Sequence, residues 1–400
     1  MGIFDFLIFN KKTTKRVFLD YASSTPIRPE VREVLRVSAD ESFANPSALY
    51  EEARDAKALL VDAHKSIARS LNTTANQIVF TSGGTEANNI ALLGVFEKAR
   101  ERGNPRPHVV SVVTEHPAVR EVLNEIERRG GEVTLLSPRE DGLIAVDQVV
   151  DVLKATTVLV SVMFVNNEIG VVQPIKEIAQ AIKRKNKEDG FHVLFHTDAC
   201  QAPLWYGLDV STLGVDLLSL DGIKIGGPRS VGCLYVKGGT QISPVMWGGG
   251  QEGGLRSGTE HVGACLGLAK ALELAKKEKN ESSEKVQLLR DNLWSQIQKH
   301  FPEASVNGSL KHRAPNNLSV CFPGVDAEHL TVALDTYGVC VSYSSSCRTL
   351  KEDSTSYVVE ALKPECKGSS IRFTLGIHTT QKDIDVAVQA LRKAVIQVTR

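Results

Sequence analysis

No charge of one sign dominates this 400-residue chain: 47 Lys and Arg stand against 47 Asp and Glu. That balance removes the electrostatic basis for non-specific nucleic-acid binding or for adhesion to an anionic membrane. No apolar run approaches the length needed to span a bilayer. The seven cysteines (Cys200, Cys233, Cys265, Cys321, Cys340, Cys347, Cys366) include no C-x-x-C pair. Odd in number and scattered, they argue against a secreted disulfide framework and against a zinc site, and fit a reducing cytosol. Internal repeats and low-complexity segments are also missing.

At the N-terminus a short apolar stretch, residues 1–10, is interrupted by Asp5 and followed by Lys11, Lys12, Lys15 and Arg16. A signal peptide would carry its positive charges first, so the order is reversed. An amphipathic extension of residues 1–16 is expected, packed on the body or docking weakly to a membrane or partner. From about residue 17 to 262, short β-rich runs alternate with helical stretches, the pattern of an α/β domain. Strands are predicted over 77–81, 108–113, 132–136, 158–165, 193–198, 217–221 and 232–236. Helices are predicted over 87–100, 119–129 and 175–185. Beyond, helices over 264–279 and 285–300, separated by the polar Asn280-Glu-Ser-Ser283, lead into a C-terminal α+β region. That region has strands near 318–322 and 370–374 and helices over 326–337 and 381–398.

Three local patterns carry chemistry. Ser82-Gly83-Gly84-Thr85 lies between a strand and a helix, where a glycine turn and free helix N–H groups suit a phosphate; a plain βα turn reads the same way. It matches neither a Walker loop nor G-x-G-x-x-G. Asp198, in His196-Thr-Asp198-Ala-Cys-Gln201, ends a buried strand where open α/β sheets bind ligands. A carboxylate there suits a pyridine nitrogen, or equally a helix cap. Lys224 lies between an apolar strand and Gly226-Gly-Pro228, and partial burial favours the neutral amine that forms a Schiff base with an aldehyde. A surface lysine beside a turn is the plainer reading. The order of the three, phosphate turn, strand-end Asp, then Lys, strengthens each.

With these and further motifs, the chain from about Phe18 onward resembles the cysteine desulfurases, pyridoxal-phosphate (PLP) enzymes of the class V aminotransferase group. Phe18-Leu-Asp-Tyr-Ala-Ser-Ser-Thr-Pro26 and Asn45-Pro-Ser47 are similar to the family's opening segments. The resemblance implies a large PLP-binding domain, 17–263, with a mostly parallel seven-stranded sheet between helices. It also implies a smaller C-terminal α+β domain, 264–400, entered through a long helix. Thr81-Ser-Gly-Gly-Thr-Glu86 implies Gly84 and Thr85 as phosphate contacts, and Glu115-His116 implies a histidine that stacks on the ring and moves protons. Val165-Asn-Asn-Glu-Ile-Gly170 implies Asn167 beside cofactor and substrate. Asp198 and Gln201 fall on the pyridinium and phenolate partners, and Lys224 on the lysine that carries the cofactor. Asn45 is implied as a substrate contact. Arg256-Ser-Gly-Thr259 implies a threonine reaching the phosphate of a second subunit, hence a homodimer. Arg372, in Ile371-Arg-Phe373, would hold the substrate carboxylate bidentately.

Val341-Ser-Tyr-Ser-Ser-Ser-Cys347-Arg-Thr resembles the loop that carries the nucleophilic cysteine. Its polar neighbours suit an exposed loop, and Arg348 favours a thiolate, whereas Cys200, Cys233, Cys265 and Cys321 sit in settings that fit buried structural thiols. The residues after Cys347 fit the longer-loop subgroup. The activity this resemblance implies is the conversion of L-cysteine to L-alanine with a persulfide on Cys347. The sulfur would pass to an acceptor protein, an iron–sulfur scaffold or a tRNA-thiolation protein, in the cytoplasm. A selenocysteine lyase, another class V aminotransferase, or a degenerate partner-binding paralogue are the alternatives. Departures from the pattern are local. Asp221-Gly-Ile223-Lys224 replaces Ser-Gly-His-Lys, so two phosphate contacts are lost and Asp221 would repel a phosphate unless it points elsewhere. Gly253 stands where an arginine is common, and Tyr50 where a histidine is usual. Either the phosphate is held by the helix N-terminus, Thr85, Thr259 and other groups, or PLP affinity has fallen; the first is expected.

Overall fold

Strands buried on both faces read as near-continuous apolar runs, and the central strands of this chain do so apart from a few buried polar residues such as Ser111, His196 and Ser219. The computed structural model describes residues 16–343 and 355–399. Its central sheet has seven strands in the spatial order Ile78–Thr81, Gly232–Val236, Leu217–Asp221, Leu194–Asp198, Thr157–Ser161, His108–Val112 and Glu132–Leu136. Gly232–Val236 pairs antiparallel with both neighbours, and the other ladders are parallel. Successive residues take opposite faces, as the two-residue period of a strand dictates. Val79, Val109, Leu159 and Leu217 pack in one core with the helices Gly84–Glu101 and Pro117–Arg128. Their neighbours Phe80, Val110, Val160 and Leu218 pack in another, with the helix Glu51–Leu71.

A second body of structure is built on an antiparallel sheet ordered Ser370–Thr374, Asn317–Cys321, Ser305–Val306. It is covered by the helices Ala327–Thr336 and Gln381–Val398. Val17 and Leu19 lie in this core, and Val17–Phe18 pairs in parallel with Val339–Cys340.

The two predicted helices of the connector are one. Val262–His300 runs unbroken for 39 residues. Its first half buries Leu268 and Leu272 against the large sheet, and its second half buries Leu293 and Ile297 in the C-terminal core. Each fully buried leucine contributes roughly 2 kcal/mol, while Asn and Ser each cost only about 0.5 kcal/mol against alanine in a helix. With no Gly or Pro at 280–283 to stop it, the helix continues through the polar stretch. The apolar run at 158–165 is the converse case. Its strand ends at Ser161; beyond it Met163 lines a cavity while Val162, Phe164 and Val165 stay in the core.

Candidate active site

The parallel strands end on one side of the sheet, and the loops leaving those ends enclose a cavity of about 220 Å³. Eight of the residues singled out in the sequence line it: Gly84, Thr85, His116, Asn167, Asp198, Gln201, Lys224 and Arg372. They come from five different strand ends and, for Arg372, from the middle of Ser370–Thr374.

Asp198 is the last residue of its strand and is buried. Its Oδ2 accepts from Asn88 Nδ2 at 2.7 Å and its Oδ1 from the Cys200 N–H at 3.0 Å. Asn88 sits one turn into the helix Gly84–Glu101, on the face that carries Gly84. Below Asp198, His196 lies between the hydroxyls of Ser161 (2.9 Å) and Ser219 (3.0 Å), and burial lowers its pKa to about 4 despite the nearby Asp198 charge. Burial likewise lowers the pKa of His116, again against the pull of Asp198. His116 caps the helix Pro117–Arg128, its Nδ1 accepting from the Ala118 N–H at 3.1 Å, so the neutral ring carries its proton on Nε2. Beside it, burial pushes the Glu115 carboxyl well above the usual carboxylate range, reinforced by Asp198, while Oε1 accepts from the Met163 N–H at 2.6 Å.

Lys224 is held by backbone. Its Nζ donates to the carbonyls of Ala22 (3.0 Å) and Ser23 (2.6 Å), and Gln201 Nε2 donates to Ala22 at 2.9 Å. Arg372 is buried; it donates to the Asn167 carbonyl (2.8 Å), to Asp20 (2.7 Å) and to the Ser23 hydroxyl (2.9 Å), and its Nε has no partner. Sequence reasoning gives no role to Asp20, Ser23, Asn88 or Glu115. Their signal is nonetheless present: all but Asn88 lie inside the motifs already named, and Asn88 follows from helical spacing.

Two expected site residues lie elsewhere. Asn45 and Thr259 are exposed and share a second pocket with Phe43 and His261. Cys347 lies outside the described residues. One expectation is corrected: Cys321 is not a free buried thiol but is bonded to Cys366. The end of Asn317–Cys321 and the turn Pro364–Cys366 bring their Cα atoms within 5.6 Å across a separation of 45 residues. Cys200, Cys233 and Cys265 are free and buried, as expected.

The donor set fits the ring and aldehyde end of PLP: a buried carboxylate for the pyridine nitrogen, an amine on Lys224, and orphaned buried atoms at Asn88 Oδ1 and Arg372 Nε that call for a ligand. The phosphate end departs from the expectation. Asp221 does not point elsewhere; its Oδ2 accepts from the Gly84 N–H at 2.9 Å, at the helix N-terminus where a phosphate would be received.

Comparison with known proteins agrees with this geometry. Residues 17–386 match the family model described as Aminotransferase class-V. Cysteine desulfurase IscS of Dictyoglomus turgidum is 36% identical over 95% of this chain and 95% of its own length. That of Proteus mirabilis is 38% identical over 95% and 92%. The solved structure of a NifS-like protein from Rickettsia africae superposes with a TM-score of 0.83 at 28% identity, over 95% of this chain and 99% of that one. SspA in complex with cysteine gives 0.77 at 30% identity, over 92% and 100%. The chain belongs to the class V aminotransferase family. Within it, the chain falls among the cysteine desulfurases, and it is a PLP-dependent enzyme.

Proposed function

We propose that this enzyme converts L-cysteine to L-alanine, with Cys347 receiving the sulfur as a persulfide for delivery to an acceptor protein. The observation that carries the reading is the pairing, in one cavity, of a half-buried amine on Lys224 with a buried guanidinium on Arg372 whose Nε is unpartnered. An α-amino acid needs both: a carrier for its amino end and a fork for its carboxylate. PLP, when bound, supplies an electron sink at the substrate α-carbon.

This chain's own residues do the rest. Asp198, fixed by Asn88 and the Cys200 N–H, keeps the pyridine nitrogen protonated. Arg372 orients the carboxylate, exchanging Asp20 or Ser23 for it. Lys224 and the neutral His116, with its proton on Nε2, move protons at the α-carbon and the departing fragment. The Cys347 thiolate takes the substrate sulfur: the C–S bond breaks, an S–S bond forms, and the electron pair stays with the three-carbon fragment, which gains a proton to become alanine. The described residues on either side of 344–354 bond to Arg372 or to the chain next to His116 and Asn167. Ser342 pairs with Arg372 through backbone, and Ser356 and Tyr357 bond to Glu168 and to the Glu115 carbonyl.

A homodimer completes the reading, its second subunit lending Thr259 to the phosphate. Exposed Phe43, Leu49, Tyr50, Met246 and Trp247, near Asn45 and Thr259 in sequence, supply the apolar contact. We further take 17–263 and 264–400 as the two domains, the acceptor as an iron–sulfur scaffold or a tRNA-thiolation protein, and the cytoplasm as the location. No described helix is long and apolar enough to cross a membrane. The test is direct. Wild-type protein given L-cysteine and a reductant should release alanine and sulfide in equal amounts, and Cys347→Ala should keep the cofactor's visible absorbance while producing no alanine. Alanine formation at the wild-type rate by Cys347→Ala would sink the role of that residue.

A further inference from the structure

The strand Leu217–Asp221 ends in a carboxylate that ties two elements together. Asp221 Oδ1 accepts from the Ile223 N–H at 3.0 Å, capping the turn Gly222–Lys224. Its Oδ2 accepts from the Gly84 N–H at 2.9 Å, the first residue of the helix Gly84–Glu101. The glycines opposite are shaped around it. Gly83 holds φ +144°, and a Cβ there would come within 3.2 Å of Oδ2; a Cβ at Gly84 would lie 3.4 Å from Oδ2. Asp221 and Lys224 face the same cavity. A fixed anion therefore stands where the helix N-terminus would receive a phosphate. The surroundings do not offset it. Ile223 offers no side-chain donor, and Arg256 is engaged with Glu86 at 3.0 Å.

We propose that Asp221 is a specificity-determining residue, an internal anion that competes with the cofactor's phosphate for the Gly84 N–H. It narrows the preference of this site for the phosphorylated aldehyde over the same aldehyde without phosphate. This rests on the reading of the cavity as a PLP site. Repulsion falls chiefly on the phosphate, which would meet Asp221 at the Gly84 N–H; at the ring end the Asp221 charge reaches His116 only as a lesser contribution behind burial and Asp198. Neutralising Asp221 therefore tightens PLP binding selectively.

The experiment uses the full chain freed of cofactor, titrated with PLP and with pyridoxal and followed by tryptophan fluorescence and visible absorbance. The wild-type affinities for the two aldehydes should lie within about tenfold of each other. Asp221→Asn, neutral and of the same shape, and Asp221→Ser, which keeps a short cap, should each bind PLP about tenfold or more tighter. Both should bind pyridoxal within about twofold of wild type. The proposal is overturned if wild type prefers PLP over pyridoxal by about a hundredfold or more, a measurement that needs no variant to fold. It is equally overturned if both variants bind PLP no tighter, or tighten both aldehydes alike. Failure of both aldehydes to bind would remove the cofactor reading itself, and failure to make alanine from cysteine would leave these affinities as they are.

Discussion

His196 shows how much of this site is fixed one layer beneath the residues that do chemistry. It touches neither wall nor ligand of the cavity, yet it spans Ser161 and Ser219 and so joins the ends of three adjacent strands below Asp198. Buried between two neutral hydroxyls, it is uncharged in the folded protein, with its pKa lowered to about 4 from 6.5. In the unfolded chain it takes a proton as the pH falls below 6.5, and in the folded chain it does not. Stability from this group is therefore full above pH 6.5 and falls between 6.5 and 4, by about 1.4 kcal/mol per pH unit. Denaturant midpoints measured from about pH 7 to 5 should fall more steeply for wild type than for His196→Gln, in which the titration is removed. Parallel curves would contradict the assignment. In the sequence, His196 stands out only as a neighbour of Asp198, because a histidine inside a strand carries no sign of whether it is buried or bound.

At the scale of elements, the long helix Val262–His300 invites the most decisive test. Ser282 lies at its polar middle, where the sequence reads as a break. Proline in a helix interior costs about 3 kcal/mol, whereas a broken connector would absorb it without loss. Ser282→Pro should lower the unfolding free energy by about that much, read from denaturant unfolding. Strands were more legible than helices here. Glu132–Leu136, Leu217–Asp221, Gly232–Val236 and Ser370–Thr374 have the bounds that their apolar runs predict. The helices Pro29–Glu41 and Glu51–Leu71 are absent from the sequence reading: neither begins with a side-chain cap, and only the proline that opens the first and the acidic first turns mark their starts. Of the site, the residues in recognisable motifs were legible. The carbonyls of Ala22 and Ser23 that hold Lys224 were not, since backbone atoms leave no trace in a side-chain pattern.

For the molecule as a whole, the proposed homodimer is what can be tested. Trp247 is 79% exposed and Leu49 is 88% exposed, and with Phe43, Tyr50 and Met246 they are the exposed apolar side chains that the proposed second copy would cover. Wild-type protein should sediment as a dimer. On the proposed sharing of Thr259 between subunits, Trp247→Lys should sediment as a monomer and hold PLP more weakly. A monomeric wild type would contradict the expectation.

The stretch from Val17 to Ser23 fastens the two sheets together. It is a strand partner of Val339–Cys340, supplies Leu19 to the C-terminal core, and gives Asp20 to Arg372 and two carbonyls to Lys224. Anyone trimming this chain therefore meets a hard stop. A new start placed after Pro26 spares every strand of the large sheet, so the shortened protein would still look folded in the far ultraviolet. It would have lost the counterweights of both the amine and the guanidinium, and an inactive truncate of that kind would say nothing about the residues that remain.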